Sequence, residues 1–225
     1  MIQRFYTYPP FALKWKWILR KIYDMPQPLA LHEIVDIGIY DLLNEPYYHS
    51  KEKIKDWKKL KTDGWKVVPD IPDIQGEFDA PVDYDNTELS WELLIDLYDP
   101  LDVHQMPVIQ SRFKDVNSLE CYCDKFIREY GQVDKIGVGS LCKMDNIAIA
   151  TEMLQLVRNK FPDAWMHVFG LRWYHMRKNI NIVDSYDTMA WTLPRGKGRP
   201  SCPRGKREQY FIEYLDTITP LGYKI

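Results

Sequence analysis

Cysteine, glycine and long hydrophobic runs are all scarce in this sequence. Its 225 residues include four cysteines and 11 glycines, and no stretch approaches the roughly 20 apolar residues of a membrane-spanning helix. The first residues also lack a secretory pattern, since Lys14 and Lys16 interrupt the aromatic segment. A chain of this length that is 45% hydrophobic and 14% aromatic can bury a core without disulfide bonds. We therefore expect a globular cytoplasmic protein (in the host cytoplasm if viral) with no membrane partner.

The metal-binding residue types show no pattern that predicts a metal site. Cys121 and Cys123 form a C-x-C pair, but tetrahedral zinc takes four ligands, usually from two close pairs. Cys142 and Cys202 stand alone, and the five histidines are not spaced as ligands. We expect reduced, mostly buried thiols, no metal and no cofactor. His167 lies in an apolar run and is predicted to be a hydrogen-bonded core histidine.

Two segments without acidic residues interrupt an otherwise acidic chain. Residues 1–22 carry five basic residues, and residues 195–207 carry six, namely Arg195, Lys197, Arg199, Arg204, Lys206 and Arg207. The other 19 basic and 32 acidic residues leave a charge of −13, whereas the whole chain has −2. Such segregation favours contact with a polyanion such as nucleic acid. A mobile basic loop is the alternative interpretation.

Short apolar runs alternate with longer amphipathic segments. Each run is almost continuously apolar, as is typical of a strand buried on both faces of a parallel sheet. Strands are predicted at residues 33–36, 66–70, 106–110, 135–140, 166–170 and 185–191, with a first strand near 3–8. Helices are predicted at residues 51–62, 89–98, 117–130 and 146–160. This alternation implies parallel pairing through right-handed crossovers.

The spacing of the strand ends favours a barrel. Successive ends are 34, 40, 30 and 30 residues apart, each interval being one strand–helix unit. We predict a single α/β domain over residues 1–225, a compact (β/α)8 barrel of the TIM type. Its final unit would be irregular or incomplete, with the eighth strand within 208–225. An open doubly wound sheet is the alternative, but it expects a glycine-rich phosphate turn that the sequence lacks.

Polar residues and glycines end these runs. They are Asp36, Asp70, Gln110, Gly139, Ser140, Gly170 and Asp187. In a parallel barrel the carboxyl ends of the strands meet at one mouth, which carries the active site. Carboxylates in different environments can divide the roles of nucleophile and acid–base there. Any one aspartate could instead cap a turn or helix, but three at the same end of a strand make capping alone a poor explanation.

Four segments resemble motifs of one enzyme family. Residues 35–40 (Val-Asp-Ile-Gly-Ile-Tyr) resemble the Asp-Ser-Gly-Gly-Phe/Tyr segment of tRNA-guanine transglycosylases, and residues 137–140 resemble their Gly-Gly-Leu-Ala loop. Residues 168–171 resemble their Met-Gly-Val-Gly segment, and residues 185–191 the strand that bears their catalytic aspartate. The likeness spans about residues 31–203. It is closest to a shorter branch, the DpdA-like transglycosylases that modify phage and bacterial DNA with deazapurines.

The resemblance implies a role for each matched residue. Asp187 matches the nucleophile that attacks C1′ of a guanosine, and Asp36 matches the second catalytic carboxylate. The substrate-binding positions correspond to Tyr40, Asp70, Gln110, Gly139, Ser140, Phe169 and Gly170. Among these, Tyr40 and Phe169 match the side chains that sandwich the base. Asp70 and Gln110 match the pair that reads the base edge, and the Gly139–Ser140 loop matches backbone donors to the base carbonyl.

The implied reaction replaces guanine in a polynucleotide with a free 7-deazaguanine base such as preQ0. The target nucleotide must leave its stack, and the two basic segments would hold its phosphates. The zinc subdomain and RNA-binding domain of the tRNA enzymes have no counterpart here, which favours DNA over tRNA. Base exchange on tRNA, an N-glycosidase that uses water, and an inactive nucleic-acid-binding module are the alternatives. A homodimer, or a partner that delivers the DNA, stays open.

Overall fold

Parallel strands and helices alternate along the chain. The computed structural model describes residues 4–8, 15–27, 30–38, 51–73, 85–142, 144–187 and 202–218. The strands in these ranges are β1 (Arg4–Tyr6), β2 (Trp17–Lys21), β3 (His32–Asp36), β4 (Trp65–Val67), β5 (Gln105–Met106), β6 (Val108–Ile109), β7 (Lys135–Val138), β8 (Trp165–Val168) and β9 (Ser185–Asp187). The helices are α1 (Lys51–Lys59), α2 (Asn86–Leu97), α3 (Val116–Tyr130), α4 (Ile147–Lys160), α5 (Trp173–Asn179) and α6 (Arg207–Ile218). A 3-10 turn, Arg204–Lys206, leads into α6.

The strands form two sheets in which every described pair is parallel. One sheet has the order β1-β9-β8-β7-β6 and the other the order β2-β3-β4-β5. Two junctions connect them within the described residues. At the first, Thr7 donates its N–H to the Trp17 carbonyl at 3.4 Å and accepts from the Leu19 N–H at 3.1 Å. At the second, Pro107 separates β5, which pairs with β4, from β6, which pairs with β7.

Two apolar clusters hold the elements together. The larger lies between strands and helices and includes Phe126, Leu154 and Tyr186. The smaller lies among the strands and draws its buried members from both sheets: Tyr6, Ile34, Val67, Met106 and Val108. The second cluster exists because alternate strand residues point away from the helices, so each nearly continuous apolar run supplies both clusters. This packing fixes the strand ends, where the polar residues lie.

Side-chain caps define where three helices begin. Asp85, Asp115 and Asn146 accept backbone N–H bonds at the starts of α2, α3 and α4, each satisfying donors that a helix leaves unpaired. The cap predicted at Asn146 is confirmed, with the Ala148 and Ile149 N–H groups as its donors. Among the helices that the structure describes, none has the length and apolarity to cross a membrane.

The prediction of mixed α/β structure with parallel strands is confirmed. In the segment where the eighth strand was expected, the described residues form helix α6 (Arg207–Ile218), whose Tyr210, Phe211 and Tyr214 are buried, and residues 219–225 lie outside the described residues. The unpredicted strand is β2, which pairs with β3 over its whole length. Residues 188–191 of the run predicted at 185–191 lie outside the described residues.

Two basic residues of the N-terminal segment are engaged within the protein. The Arg20 guanidinium is buried and binds both carboxylate oxygens of Glu33, at 2.8 and 3.0 Å. Arg4 stacks against the rings of Trp17 and Trp165, 4.5 and 4.4 Å from their centroids. The expectation that segment 1–22 holds phosphates therefore does not extend to these two arginines.

Candidate active site

Polar side chains from four strands end at one edge of the parallel sheets. Asp36 and Asp187 are the last residues of β3 and β9, Gln110 directly follows β6, and Asp70 follows β4 by three residues. Parallel strands present their carboxyl ends at the same edge of each sheet, and the hydrogen bond between Gln110 and Asp70 joins the two sheets at these ends. Charge interactions link Asp187 to Asp36 and Asp36 to Asp70. The three carboxylates form one electrostatic group.

The pKa values of two of these carboxylates are raised. Burial raises the pKa of Asp36 to about 6, and the Asp187 charge adds to the rise. The N–H groups of Ile37 and Gly38 and the Lys21 charge act in the opposite direction. Burial and the charge of Asp36 raise the pKa of Asp70 to about 7, against a hydrogen bond from Gln110. Asp36 can therefore both give and take a proton near neutral pH.

Gln110 joins Asp70 to Ser140. The Gln110 Nε2 amide donates to Asp70 Oδ2. On the other side the Ser140 hydroxyl lies within donating distance of both Gln110 Oε1, at 2.6 Å, and the Ser111 carbonyl, at 2.7 Å, and its oxygen accepts the Ser111 N–H at 3.3 Å. These contacts orient the amide, with its second Nε2 hydrogen available to a ligand. The arrangement fits the edge of a planar heterocycle that carries both donors and acceptors.

Gly139 and Ser140 have different roles from each other. The Gly139 N–H donates to the Ile109 carbonyl at 3.0 Å, so it is not available to a base as the resemblance implied. Ser140 has a φ of 55°, which turns its backbone away from the hydrogen bonds between the strands. No described residue accepts its N–H, which leaves this group as the backbone donor of the loop.

The Asp187 carboxylate is held through one oxygen. Its Oδ1 accepts the Gly170 N–H at 3.0 Å and lies 3.5 Å from His167 Nε2. Gly170 has a φ of 64°, and a Cβ there would lie 2.9 Å from Cys142 Sγ, so glycine is needed at this position. The Asp187 side chain is 11% exposed, so part of it is open to a ligand.

Two aromatic rings, Phe169 and His167, pack against each other next to Asp187. Phe169 packs over Gly137, where a Cβ would lie 2.7 Å from its ring, and meets the His167 ring edge-on with centroids 4.7 Å apart. His167 is fully buried, and its Nδ1 bonds Ser185 Oγ at 2.9 Å. The prediction of a buried, hydrogen-bonded histidine is confirmed for Nδ1, whereas Nε2 faces Asp187.

Lys21 is a site residue that the sequence pattern did not assign to a strand end. It pairs with Asp36 in the β2–β3 register, and its side chain lies 3.0 Å from where a Cβ on Gly38 would be. The φ of 76° at Gly38 and this close approach explain the glycine. The sequence feature that could have identified Lys21 is its position at the end of an apolar run.

Several predicted nucleic-acid and substrate residues lie outside the described residues: Tyr40, Arg195, Lys197 and Arg199. The backbone of Arg204 is in the 3-10 turn. Lys206 and Arg207 are exposed where this turn meets α6. Exposure leaves these two charges available to a polyanion.

Metal ligands are not clustered in the part of the chain that the structure describes, where no group of three His, Cys, Asp or Glu side chains could hold an ion. All four cysteines are free, but only Cys123 is buried, so the expectation of mostly buried thiols is wrong. No family model matches the chain, and no relative was found among the curated proteins. The evidence for function is therefore the geometry of the site together with the sequence motifs.

Proposed function

We propose that the protein exchanges guanine in DNA for a free 7-deazaguanine base through a covalent Asp187–sugar intermediate. The observation that carries this proposal is the group formed by Asp187, Asp36 and Asp70 at one edge of the sheets, with Gln110 bound to Asp70. The group combines a candidate nucleophile, a proton carrier and a hydrogen-bonding edge for a base. The resemblance to guanine transglycosylases supports the same assignment.

In the first step Asp187 Oδ2 attacks C1′ while the bond from C1′ to guanine N9 breaks. Positive charge develops at C1′, and an adjacent carboxylate stabilises it before it bonds, as in retaining glycosidases. Asp36 donates its proton to the departing base, for which a pKa of about 6 is suitable. The products are a sugar–aspartate ester and neutral guanine.

In the second step the incoming base takes the place of guanine. Asp36, now ionised, removes the proton from N9 of the deazaguanine, and that nitrogen attacks C1′. The ester bond breaks, and Asp187 returns as a carboxylate. Asp36 gives up its proton in the first step and regains one in the second, so the two steps together restore the enzyme without a cofactor.

Base recognition is proposed for the neighbouring polar groups. Asp70 would accept from the N1–H and exocyclic amine of a guanine-like edge, and the Ser140 N–H would donate to its carbonyl. Gln110 would add its second Nε2 hydrogen, and Phe169 would support one face of the ring, worth about 1–3 kcal/mol by stacking. Both leaving and incoming bases share this edge, so one site serves both.

We further propose that the two sheets close into one eight-stranded (β/α)8 barrel. The Thr7–Ile18 bridge would join β1 to β2, and residues 105–109 would act as a single strand interrupted by Pro107. The smaller apolar cluster, which has members from both sheets, supports this closure. A barrel would bring every strand end to one mouth.

Phosphate contacts are proposed for the exposed Lys206 and Arg207, together with the other basic residues of 195–207. The target nucleotide would be flipped out, or presented as a single strand, because its C1′ cannot be reached within a stacked duplex. DNA is proposed over tRNA because of the likeness to the DNA-modifying branch.

The test is incorporation of radiolabelled guanine or preQ0 into guanine-containing oligonucleotides. Single-stranded DNA, duplex DNA and tRNA are compared with wild type, Asp187→Asn and the exposed-loop control Asp163→Asn. The proposal predicts labelling of DNA by wild type and the control, and none by Asp187→Asn. Labelling of tRNA alone would move the substrate to tRNA, and release of guanine without uptake of label would indicate a glycosidase. Equal labelling by Asp187→Asn would contradict the mechanism.

A further inference from the structure

A chain of hydrogen bonds runs from Trp165 to His167, whose buried Nε2 has no hydrogen-bond partner among the described residues and faces the proposed nucleophile. The Trp165 Nε1–H donates to Ser185 Oγ at 2.7 Å, and Ser185 Oγ lies 2.9 Å from His167 Nδ1. His167 Nε2 then faces Asp187 Oδ1 at 3.5 Å. Ser185 and His167 are both fully buried, so water does not compete for these contacts.

The partners of Ser185 determine which nitrogen of His167 carries the proton. The indole N–H can only donate, so it takes a lone pair of Ser185 Oγ. The hydroxyl hydrogen must then go to an acceptor, and among the described residues His167 Nδ1 lies within reach. An accepting Nδ1 in a neutral imidazole places the hydrogen on Nε2. That hydrogen lies on the side of Asp187.

The Asp187 oxygens are therefore not equivalent. Oδ1 receives the Gly170 N–H and faces the His167 Nε2–H. The Gly170 hydrogen bond and the nearby Nε2–H both lie at Oδ1, which leaves the lone pairs of Oδ2 for the sugar. The orientation of the nucleophile is thus set by residues of β8, β9 and the turn after β8.

We propose that His167 is a positioning residue that holds Asp187 for attack and stabilises the carboxylate when it leaves the ester. The inference rests on the proposed transglycosylation. Asp187 loses its charge as the ester forms and regains it as the ester breaks. A donor at Oδ1 stabilises the charged form most, so its removal should slow ester breakdown more than ester formation.

The experiment follows the ester directly. Wild type, His167→Leu and His167→Gln are incubated with a guanine-containing DNA strand and quenched in acid, and the covalent fraction is measured before and after addition of unlabelled guanine. His167→Leu should break down the ester about 10–100-fold more slowly, the effect of losing a donor that closes into a hydrogen bond as the carboxylate regains its charge. His167→Gln, which places an amide donor near the position of Nε2, should recover most of the rate. His175→Leu, which removes another buried histidine, should break down the ester at the wild-type rate.

Several outcomes would overturn the inference. Equal breakdown rates in wild type and His167→Leu would assign His167 to the core alone. Parallel losses in both Leu variants would indicate general destabilisation, which thermal unfolding measures separately. If wild type forms no ester, the proposed function fails and takes this inference with it.

Nitrogen-15 NMR of the histidine rings gives a readout that needs no activity. Neutral His167 should carry its proton on Nε2 in wild type, and Ser185→Ala should change that preference because Nδ1 loses its donor. His175 serves as the internal reference. A proton on Nδ1 in the wild-type protein would contradict the hydrogen-bond chain, whatever the reaction proves to be.

Discussion

Gln110 lies directly against the backbone of Gly139. A Cβ on Gly139 would lie only 2.1 Å from Gln110 Nε2 and 2.3 Å from Oε1. The amide that binds Asp70 thus occupies the space that any other residue at position 139 would fill. Glycine is required here by the side chain of the neighbouring strand end, in addition to any role in ligand binding.

Gly139→Ala should displace Gln110 and break its contact with Asp70. Because the amide then no longer presents its second hydrogen, the KM for the free base should rise up to about tenfold, the cost of roughly one neutral hydrogen bond. Steady-state exchange kinetics measure this. Gly205→Ala, whose added methyl group meets no neighbour within 4 Å, is the matched control and should leave KM unchanged. An unaltered KM in Gly139→Ala would remove Gln110 from base recognition.

Asp70→Asn should stabilise the protein at alkaline pH. The folded-state pKa of about 7 lies above the usual 3.8, so the folded state binds the proton more tightly than the unfolded state. The protonated Asp70 therefore adds to the free energy of unfolding near pH 4, and this stabilisation is lost as the pH rises towards 7 and above. Asparagine avoids that loss, and Tm should exceed the wild-type value by about 5 °C at pH 8, with the difference shrinking towards pH 4. Asp163→Asn, in an exposed loop, should show no such trend, and the same flat result in Asp70→Asn would contradict the raised pKa.

Asp36 should set the pH optimum of base exchange. With a pKa of about 6 it is half protonated there, which balances donation to the leaving base against acceptance from the incoming base. Guanine–guanine exchange should therefore be fastest near pH 6 and fall on both sides. Asp36→Asn should lower the rate by about 10²–10⁴-fold and remove the dependence. A wild-type optimum above pH 8 would exclude Asp36 as the proton carrier.

Lys206 and Arg207 should contribute to DNA affinity without sequence preference. Replacing both with glutamine removes two charges, so the slope of log K against log salt should become shallower by about 1–2. Fluorescence anisotropy with labelled oligonucleotides at several salt concentrations measures the slope. Lys58→Gln on α1 is the control for loss of an exposed charge elsewhere. An unchanged slope in the double variant would place the DNA on another surface.

The site could be predicted from sequence because its residues directly follow apolar runs. Asp36, Gln110 and Asp187 mark strand ends that local pattern alone identifies, and parallel topology then brings them together. Asp70 lies three residues beyond β4, yet its place after the Val67 run gave the same information.

Other features depended on contacts that are distant in sequence. Strand β2 is short and mixes tryptophan with Arg20 and Lys21, and its pairing with β3 determines its conformation. Residues 207–218 carry aromatics that suit either a strand or the buried face of a helix. Pro107 separates β5 from β6 because β5 pairs with β4 in one sheet and β6 pairs with β7 in the other. The hydrogen bond from the Gly139 N–H to the Ile109 carbonyl depends on the register between two strands, which the local sequence does not specify.

Intact-protein mass spectrometry after acid quenching addresses the covalent chemistry most directly. The protein is incubated with a short DNA strand that contains one guanine and no free base is added. Wild type should gain the mass of the strand less guanine, the added mass should map to the peptide that contains Asp187, and Asp187→Asn should gain nothing. Base exchange by wild type with no such adduct, or an adduct that persists in Asp187→Asn, would contradict Asp187 as the nucleophile.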